Sequence, residues 1–305
     1  MSLRETAALL HEVFGADRFR DDRYLTWFYR ENPVGPAVEI DRFLDGRLVG
    51  HTGGIVQEYH SSHGALPGVF PLNLAVHAAA RGRGLMTEMN EACFDEGGRR
   101  HGYGVLVGMP NAASTPGYTG RLGFRLVTPL PVHVCPPVWP GSRAVESRAA
   151  DAAYLQGRAF DELVRTLDLA PTRNWAQRWT PELLRWRLAS PATRYAVHAG
   201  ARCVIVTCAV RHAGIPVTVV VKTFRRAATD RVAANAVIAA ACRFHRTPGA
   251  IYAGFSASCR VIGVPLPDRL KPAPLNMIVR SSRPGVLDAD AFVFDGFELF
   301  DFDAF

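Results

Sequence analysis

One segment limits the fold more than any other. From Leu72 to His77 the chain (LNLAVH) reads as a β-strand, and Arg81-Gly82-Arg83-Gly84 then opens a helical run to about Arg100. In that run Leu85, Met86, Met89, Ala92 and Cys93 share one face, and Glu88, Glu91 and Asp95 share the other. A strand that enters a helix through a glycine-bearing turn presents N–H groups that have no intrahelical partner. Glycine lets the backbone come close to a ligand, and the helix dipole favours negative charge. Arg81 and Arg83 add formal charge, so the implied ligand is a phosphate or pyrophosphate. Two other phosphate motifs fail on spacing. A Walker loop needs a Gly-Lys pair, which is absent, and a dinucleotide fingerprint needs a third glycine where Thr87 stands.

The neighbouring patterns place this segment in a mixed sheet. Residues 3–14 have helical spacing, and a second helix at about 21–30 stops at Asn32-Pro33. Residues 37–44 and 47–58 alternate and are joined at Asp45-Gly46, a hairpin signal. A strand covers about 66–77, a short buried strand 103–109, a turn-and-helix segment 111–122, and a strand 123–134. The proline-rich stretch 131–142 reads as a linker, and an Ala-rich helix is expected at about 145–168.

The second half repeats this order. Tyr24, Leu25, Trp27 and Pro33 have counterparts in Leu183, Leu184, Trp186 and Pro191. His63-Gly64 and Ala213-Gly214 each start a strand that feeds a helix, 82–100 in one half and about 230–246 in the other. The short strands 103–109 and 251–255 then follow, and the aromatic alternation from Phe292 to Phe302 reads as a last strand. Where a second cradle would fall, Arg225 to Asp230 contains no glycine, and Thr229 or Asp230 reads as a plain N-cap. Two domains are therefore expected, 1–140 and 141–305. The Trp175, Trp179, Trp186 set is expected near the boundary between them.

The run LAVH, three residues, RGRGL, followed by Asn111, Tyr118 and Leu122-Gly123-Phe124, resembles the GNAT superfamily of acyl-CoA-dependent N-acyltransferases. Arg81 and Gly84 fit that family's first motif, with Met86 where Gly or Ala is usual. Asn111 and Tyr118 keep its seven-residue spacing, while Tyr118 precedes Gly123 by five residues where the family usually has four. The resemblance implies an α/β protein of two GNAT-like lobes, each a mixed, mostly antiparallel sheet flanked by helices, the second lobe degenerate and serving as scaffold or acceptor surface.

It further implies an acyltransferase, transferring groups other than aminoacyl groups, that moves an acyl group from acetyl-CoA or another acyl-CoA to a primary amine. Leu74, Ala75 and Val76 would meet the pantetheine, Arg81, Gly82, Arg83, Gly84, Leu85 and Met86 the pyrophosphate, and Asn111 the thioester arm. Tyr118 is the candidate acid, because a phenol's pKa lies near a thiol's, with Ser114 as a second donor. Glu58, His60 and His77 are candidate bases. Two other readings stay open: an acyl donor held on a carrier protein, and a non-catalytic acyl-CoA-binding module.

Composition narrows the partners. No run of about 18 uncharged apolar residues occurs, so no membrane span is expected. The net charge is +7, but all basic residues except Lys222 and Lys271 are scattered arginines, so no nucleic-acid face is expected. The six cysteines lack metal-ligand spacing, so no metal is expected. Met1 to Gly15 does not read as a signal peptide, which makes the cytoplasm the expected location. The expected partner is a small-molecule or peptide amine, and the expected state a monomer or homodimer.

Overall fold

The computed structural model describes residues 3–137, 144–212, 214–226, 231–267, 271, 275–282 and 292–302. The chain opens with helices α1 (Leu3–Phe14) and α2 (Arg23–Arg30). Strands β1 (Val38–Leu44), β2 (Arg47–Ser61) and β3 (Gly64–Val76) follow as hairpins. Asp45 and Gly46 join the first pair with φ of 50° and 78°, the left-handed conformations that a two-residue turn needs to match strand twist. Helix α3 (Leu85–His101), strand β4 (Val105–Gly108), helix α4 (Thr115–Gly120) and strand β5 (Arg125–Pro129) come next.

The expected strand 123–134 is two strands. It breaks at Leu130-Pro131, and β6 (Val132–Cys135) pairs in a different sheet from β5. Part of the expected proline-rich linker is thus a strand; residues 138–143 lie outside the described residues. The expected Ala-rich helix is also divided. It starts as β7 (Glu146–Ala149), drawn into a sheet by pairing with β9, and only then becomes α5 (Ala152–Gln156) and α6 (Arg158–Val164). Asp151 caps α5 by accepting from the Tyr154 N–H at 2.8 Å, and Gly157 separates the two helices.

The chain continues through β8 (Ala176–Gln177), α7 (Pro181–Leu188), β9 (Tyr195–Ala199), β10 (Cys203–His212), β11 (Ile215–Arg225), β12 (Val232–Ala233) and α8 (Asn235–His245). It ends with β13 (Ala250–Ser256), β14 (Cys259–Arg260), β15 (Val264–Pro265), β16 (Asn276–Ser281) and β17 (Gly296–Glu298). The final aromatic run is therefore not one strand. After β17 it closes into a 3-10 turn at Leu299–Asp301, held by a capping box between Glu298 and Asp301.

Two compact units emerge, and neither is continuous. The first is 1–129 with 275–293; the second is 130–274 with 294–305, so a single cut at 140/141 does not describe the chain. In the first unit the strand order is β1-β2-β3-β4-β16-β5. β3 and β4 run parallel and the other neighbours antiparallel. Its core gathers Val38, Val56, Val69, Cys93, Phe94, Tyr103, Leu106, Leu122 and Ile278. In the second unit the order is β15-β6-β13-β11-β10-β9-β7, with β11 and β13 the parallel pair. Each unit thus has a helix, a three-strand meander, a second helix and a strand parallel to the last strand of the meander. The internal repeat is real at the level of topology.

The second unit closes on its own buried charges. Lys222 Nζ lies 2.7 Å from Asp301 Oδ2 and 3.0 Å from Glu298 Oε2, and Trp179 Nε1 donates to Asp301 Oδ1 at 3.0 Å. Trp179 also stacks on Phe300, so this tryptophan serves the second unit's own core. All six cysteines are buried and unbridged. Burial pushes the Cys93, Cys208 and Cys259 thiols up to about 12, which leaves them unreactive. No helix among the described residues is long and apolar enough to cross a membrane.

Candidate functional site

Two backbone irregularities shape β3. The first is where it leaves β4. The two strands pair only at Gly68 with Val105 and Val69 with Leu106, and beyond Val69 they part. From Leu72 to Val76, β3 runs on past the last residue pair it shares with β4. The second is a bulge. His51 of β2 faces Ala75, but Gly53 faces Leu72, so Asn73 and Leu74 together oppose one residue. Asn73 takes φ 53°, a left-handed conformation that asparagine tolerates better than most residues.

The strand then meets the glycine turn. His77 accepts from the Ala79 N–H at 3.2 Å and tightens a 3-10 turn over Ala78–Ala80. Gly82 and Gly84 both have φ 78°, and Gly84 is the N-cap of α3. A Cβ at either glycine would meet no atom within 4 Å, so left-handed backbone, not crowding inside the protein, demands glycine there. The Thr87 and Glu88 N–H groups bond back to the Gly84 carbonyl. Leu85 and Met86 come before that first closing bond, where helical N–H groups point outward.

These elements enclose a cavity of about 510 Å³. Leu74 and Val76 form one wall, and Ala80, Arg81, Gly82, Gly84, Leu85, Met86 and Thr87 curve around the end. Arg121, from the end of α4, and Val13, from α1, complete it. Alternation along the strand explains why Ala75 is absent: it points to the opposite face and is 1% exposed. Arg81 is anchored by its Nε to the Val76 carbonyl at 3.4 Å. Glu88, on the same helix, is engaged by Arg42 Nε at 2.6 Å. The cavity therefore has two arginines in its lining and no acid.

The structure brings seven of the sequence-derived binding residues into this cavity (Leu74, Val76, Arg81, Gly82, Gly84, Leu85 and Met86) and leaves Ala75, Arg83 and Asn111 outside its lining. Asn111 is exposed and spends its side chain on α4, accepting from both Ser114 N and Ser114 Oγ at 3.0 Å. Ser114 is thereby tied to the same turn. Tyr118 is buried against Phe124, and its hydroxyl donates to Asn90 Oδ1 at 3.2 Å. Asn90 in turn donates to the Met86 carbonyl at 2.8 Å, so the phenol reaches the cavity wall through one side chain. Burial, with the Cys93 thiol nearby, pushes the phenol well above its usual range and keeps it protonated.

The candidate bases fare worse. Glu58 pairs with Pro67 and His60 with Ala65, at the other end of the β2–β3 hairpin from the cradle. His77 is close but occupied, 2.9 Å from Glu12 Oε1 and 3.2 Å from Arg47 Nη2. Sequence reasoning does not single out Arg121, and Gly117, one helical turn before it, is the signal. A Cβ on Gly117 would stand 2.8 Å from Met86 Cε, a close approach that carries the end of α4 to the start of α3.

Residues 3–124 match the model of the acetyltransferase (GNAT) family. They are a GNAT acetyltransferase domain. Solved structures share the fold over both units of the chain. A probable N-acyltransferase of Enterococcus faecalis superposes with a TM-score of 0.57 at 13% identity, covering 92% of this chain and 70% of its own. A GCN5-related N-acetyltransferase of Anabaena variabilis gives 0.58 at 11%, with 92% and 70% covered. Saccharomyces cerevisiae N-myristoyltransferase with bound myristoyl-CoA gives 0.54 at 10%, with 91% and 79% covered. No curated protein matches the chain.

Proposed function

We propose that the first unit binds acetyl-CoA or another acyl-CoA in the cavity beside β3 and transfers the acyl group to a primary amine. The observation that carries this is the coincidence of an open strand edge with an arginine-lined glycine turn at its end. The stretch of β3 beyond its last pair with β4 suits the two amides of a pantetheine arm, which lies along a strand edge as another strand would. The outward N–H groups of Leu85 and Met86, with Arg81 and Arg121, suit a pyrophosphate. The open space over Gly82 and Gly84 leaves room for it.

The amine nitrogen attacks the thioester carbonyl, a C–N bond forms, and the C–S bond breaks. The departing thiolate needs a proton, and Tyr118 is the donor this reading assigns. Burial keeps its proton in place until the thiolate forms. Asn90, which now accepts that proton's hydrogen bond, holds the ring toward Met86. The amine's surplus proton leaves to water, and the tyrosinate left at Tyr118 takes a proton back from water, which restores the phenol. The second unit would supply scaffold and acceptor surface: its equivalent helix α8 starts at Ala234-Asn235 with no glycine cap, and residues 227–230 lie outside the described residues.

Calorimetry with CoA, set beside thiol release from acetyl-CoA over a broad amine panel, tests the reading. Binding plus turnover supports it. Binding without turnover on any amine would assign a sensor instead, and no binding would favour a carrier-protein donor. In Tyr118→Phe, kcat should fall about 100-fold with acyl-CoA KM little changed, because the phenol acts only as the bond breaks. A variant at full speed would take the acid role from Tyr118.

A further inference from the structure

Behind the bulge in β3 lies a chain of polar side chains that the transfer reaction, as described, does not use. Asn73 Nδ2 donates to Tyr29 Oη at 2.9 Å. Tyr29 Oη lies 3.0 Å from His51 Nε2, and His51 Nδ1 lies 2.7 Å from Asp41 Oδ1. Tyr29 and His51 are wholly buried, and their rings stack at 5.8 Å. Space has been made for this contact. A Cβ on Gly53, which sits across the bulge, would stand 2.7 Å from Tyr29 Oη.

The Tyr29 oxygen accepts from Asn73, and Tyr29 and Asp41 hold the two ring nitrogens of His51. The consequence falls on Asn73. Its carboxamide nitrogen is held toward Tyr29, so Oδ1 is turned the other way, and among the described residues it accepts no hydrogen bond. Asn73 is half-buried and lies on β3 between the point where β4 departs, Val69, and the cavity wall at Leu74 and Val76. Asn73 thus combines a left-handed backbone with a carboxamide that is held by one donated hydrogen bond and whose oxygen has no partner among the described residues.

We propose that the Asn73 Oδ1 binds the N–H of the acceptor amine, and that Tyr29, His51 and Asp41 are positioning residues that hold the carboxamide in that orientation. The inference rests on the acyl-CoA reading above, because a thioester arm on the open edge of β3 runs past Asn73. A primary amine donating one N–H to Oδ1 keeps its lone pair for the thioester carbonyl. The C–N bond then forms and the C–S bond breaks as before. Asn73 takes no proton, and the amine's surplus proton still leaves to water. The site selects a nitrogen with a hydrogen to give, which a tertiary amine lacks.

The test compares the full-length protein with Asn73→Gly and Tyr29→Phe. Glycine keeps the left-handed backbone and removes only the carboxamide, so the bulge survives. The donor is acetyl-CoA, the acceptors are phenethylamine, glucosamine, spermidine and a short lysine peptide, and released thiol is the readout. For the best acceptor, kcat/KM should fall about tenfold in Asn73→Gly, with amine KM raised and acetyl-CoA Kd within about twofold of the parent. Tyr29→Phe should move the same constants in the same direction by about threefold, because the carboxamide is no longer held. An Asn73→Gly protein with the parent's amine kcat/KM overturns the inference alone. Loss of acetyl-CoA affinity in step with activity also overturns it, since the residue would then only shape the strand. A parent that binds acetyl-CoA yet releases no thiol with any amine overturns the acyl-transfer reading, and this inference with it.

Discussion

Gly84 offers the sharpest test of the cradle, because its two roles separate by substitution. Its φ of 78° is left-handed, and a Cβ there meets nothing within 4 Å. Gly84→Ala should therefore cost only backbone strain, about 1 kcal/mol of stability, with no collision. Gly84→Asp has the same strain and adds a carboxylate where the turn faces its ligand. At about 5 Å from a phosphate charge, with an effective dielectric of 40–80, repulsion is about 1–2 kcal/mol per charge. A pyrophosphate presents two such charges, so CoA should bind at least tenfold more weakly, and on the order of a hundredfold at low salt. Titration calorimetry of parent, Ala and Asp proteins with CoA measures this, with urea unfolding to confirm similar folding. The Asp penalty should shrink as salt rises, because an exposed repulsion is screened. An Asp protein that binds CoA within twofold of the parent, at low salt, would refute a phosphate at Arg81–Met86.

Two predictions concern the second unit. His198 is buried between Ser147 and Thr207, each 2.8 Å away, and burial, with His245 adjacent, pushes its pKa down to about 3. The unfolded chain then binds a proton that the folded one refuses, so stability should be flat above pH 6.5. Below that it should drop by about 1.4 kcal/mol per pH unit towards pH 3, a slope that His198→Gln flattens in urea titrations. In Lys222→Met, Asp301 and Glu298 lose their shared cation while staying buried, which should cost about 3–5 kcal/mol by the same assay; a neutral result would mean that the carboxylates are already protonated.

The cradle was legible because its signals are local: two glycines, two arginines and a change of period lie within a few residues. Leu74 and Val76 follow from the same strand, and Ala75, between them, turns to the opposite face because a strand alternates. The hairpins and the repeat were legible from turn residues and tryptophan spacing. What was hidden depends on contacts far apart in sequence. Arg121 reaches the cavity only because Gly117 lets α4 approach Met86. The chain from Asp41 to Asn73 needs a bulge that no local propensity announces. Glu146–Ala149 has helical neighbours, yet an open sheet edge beside β9 makes it a strand. The break at Pro131, which sends β5 and β6 to different sheets, was readable as a proline but not as a change of partner.

The position of β16 has a consequence for how this protein is made. Residues 276–281 lie in the middle of the first unit's sheet, between β4 and β5. A ribosome adds about 5–20 residues per second and delivers chains from the N-terminus. The first unit's sheet is therefore completed only after residues 130–274 of the second unit have been made. Until residue 281 has been translated, β4 and β5 each show the other an unfilled strand-wide gap, and the growing chain carries two bare sheet edges while residues 130–274 are made. A stop codon between residues 122 and 276 yields a truncated product that includes every residue lining the cavity but lacks the strand that completes the sheet. Quality control has a direct handle on such fragments: they resemble the intact enzyme in sequence at the site, yet they present chaperones and proteases with exposed backbone that the completed protein conceals.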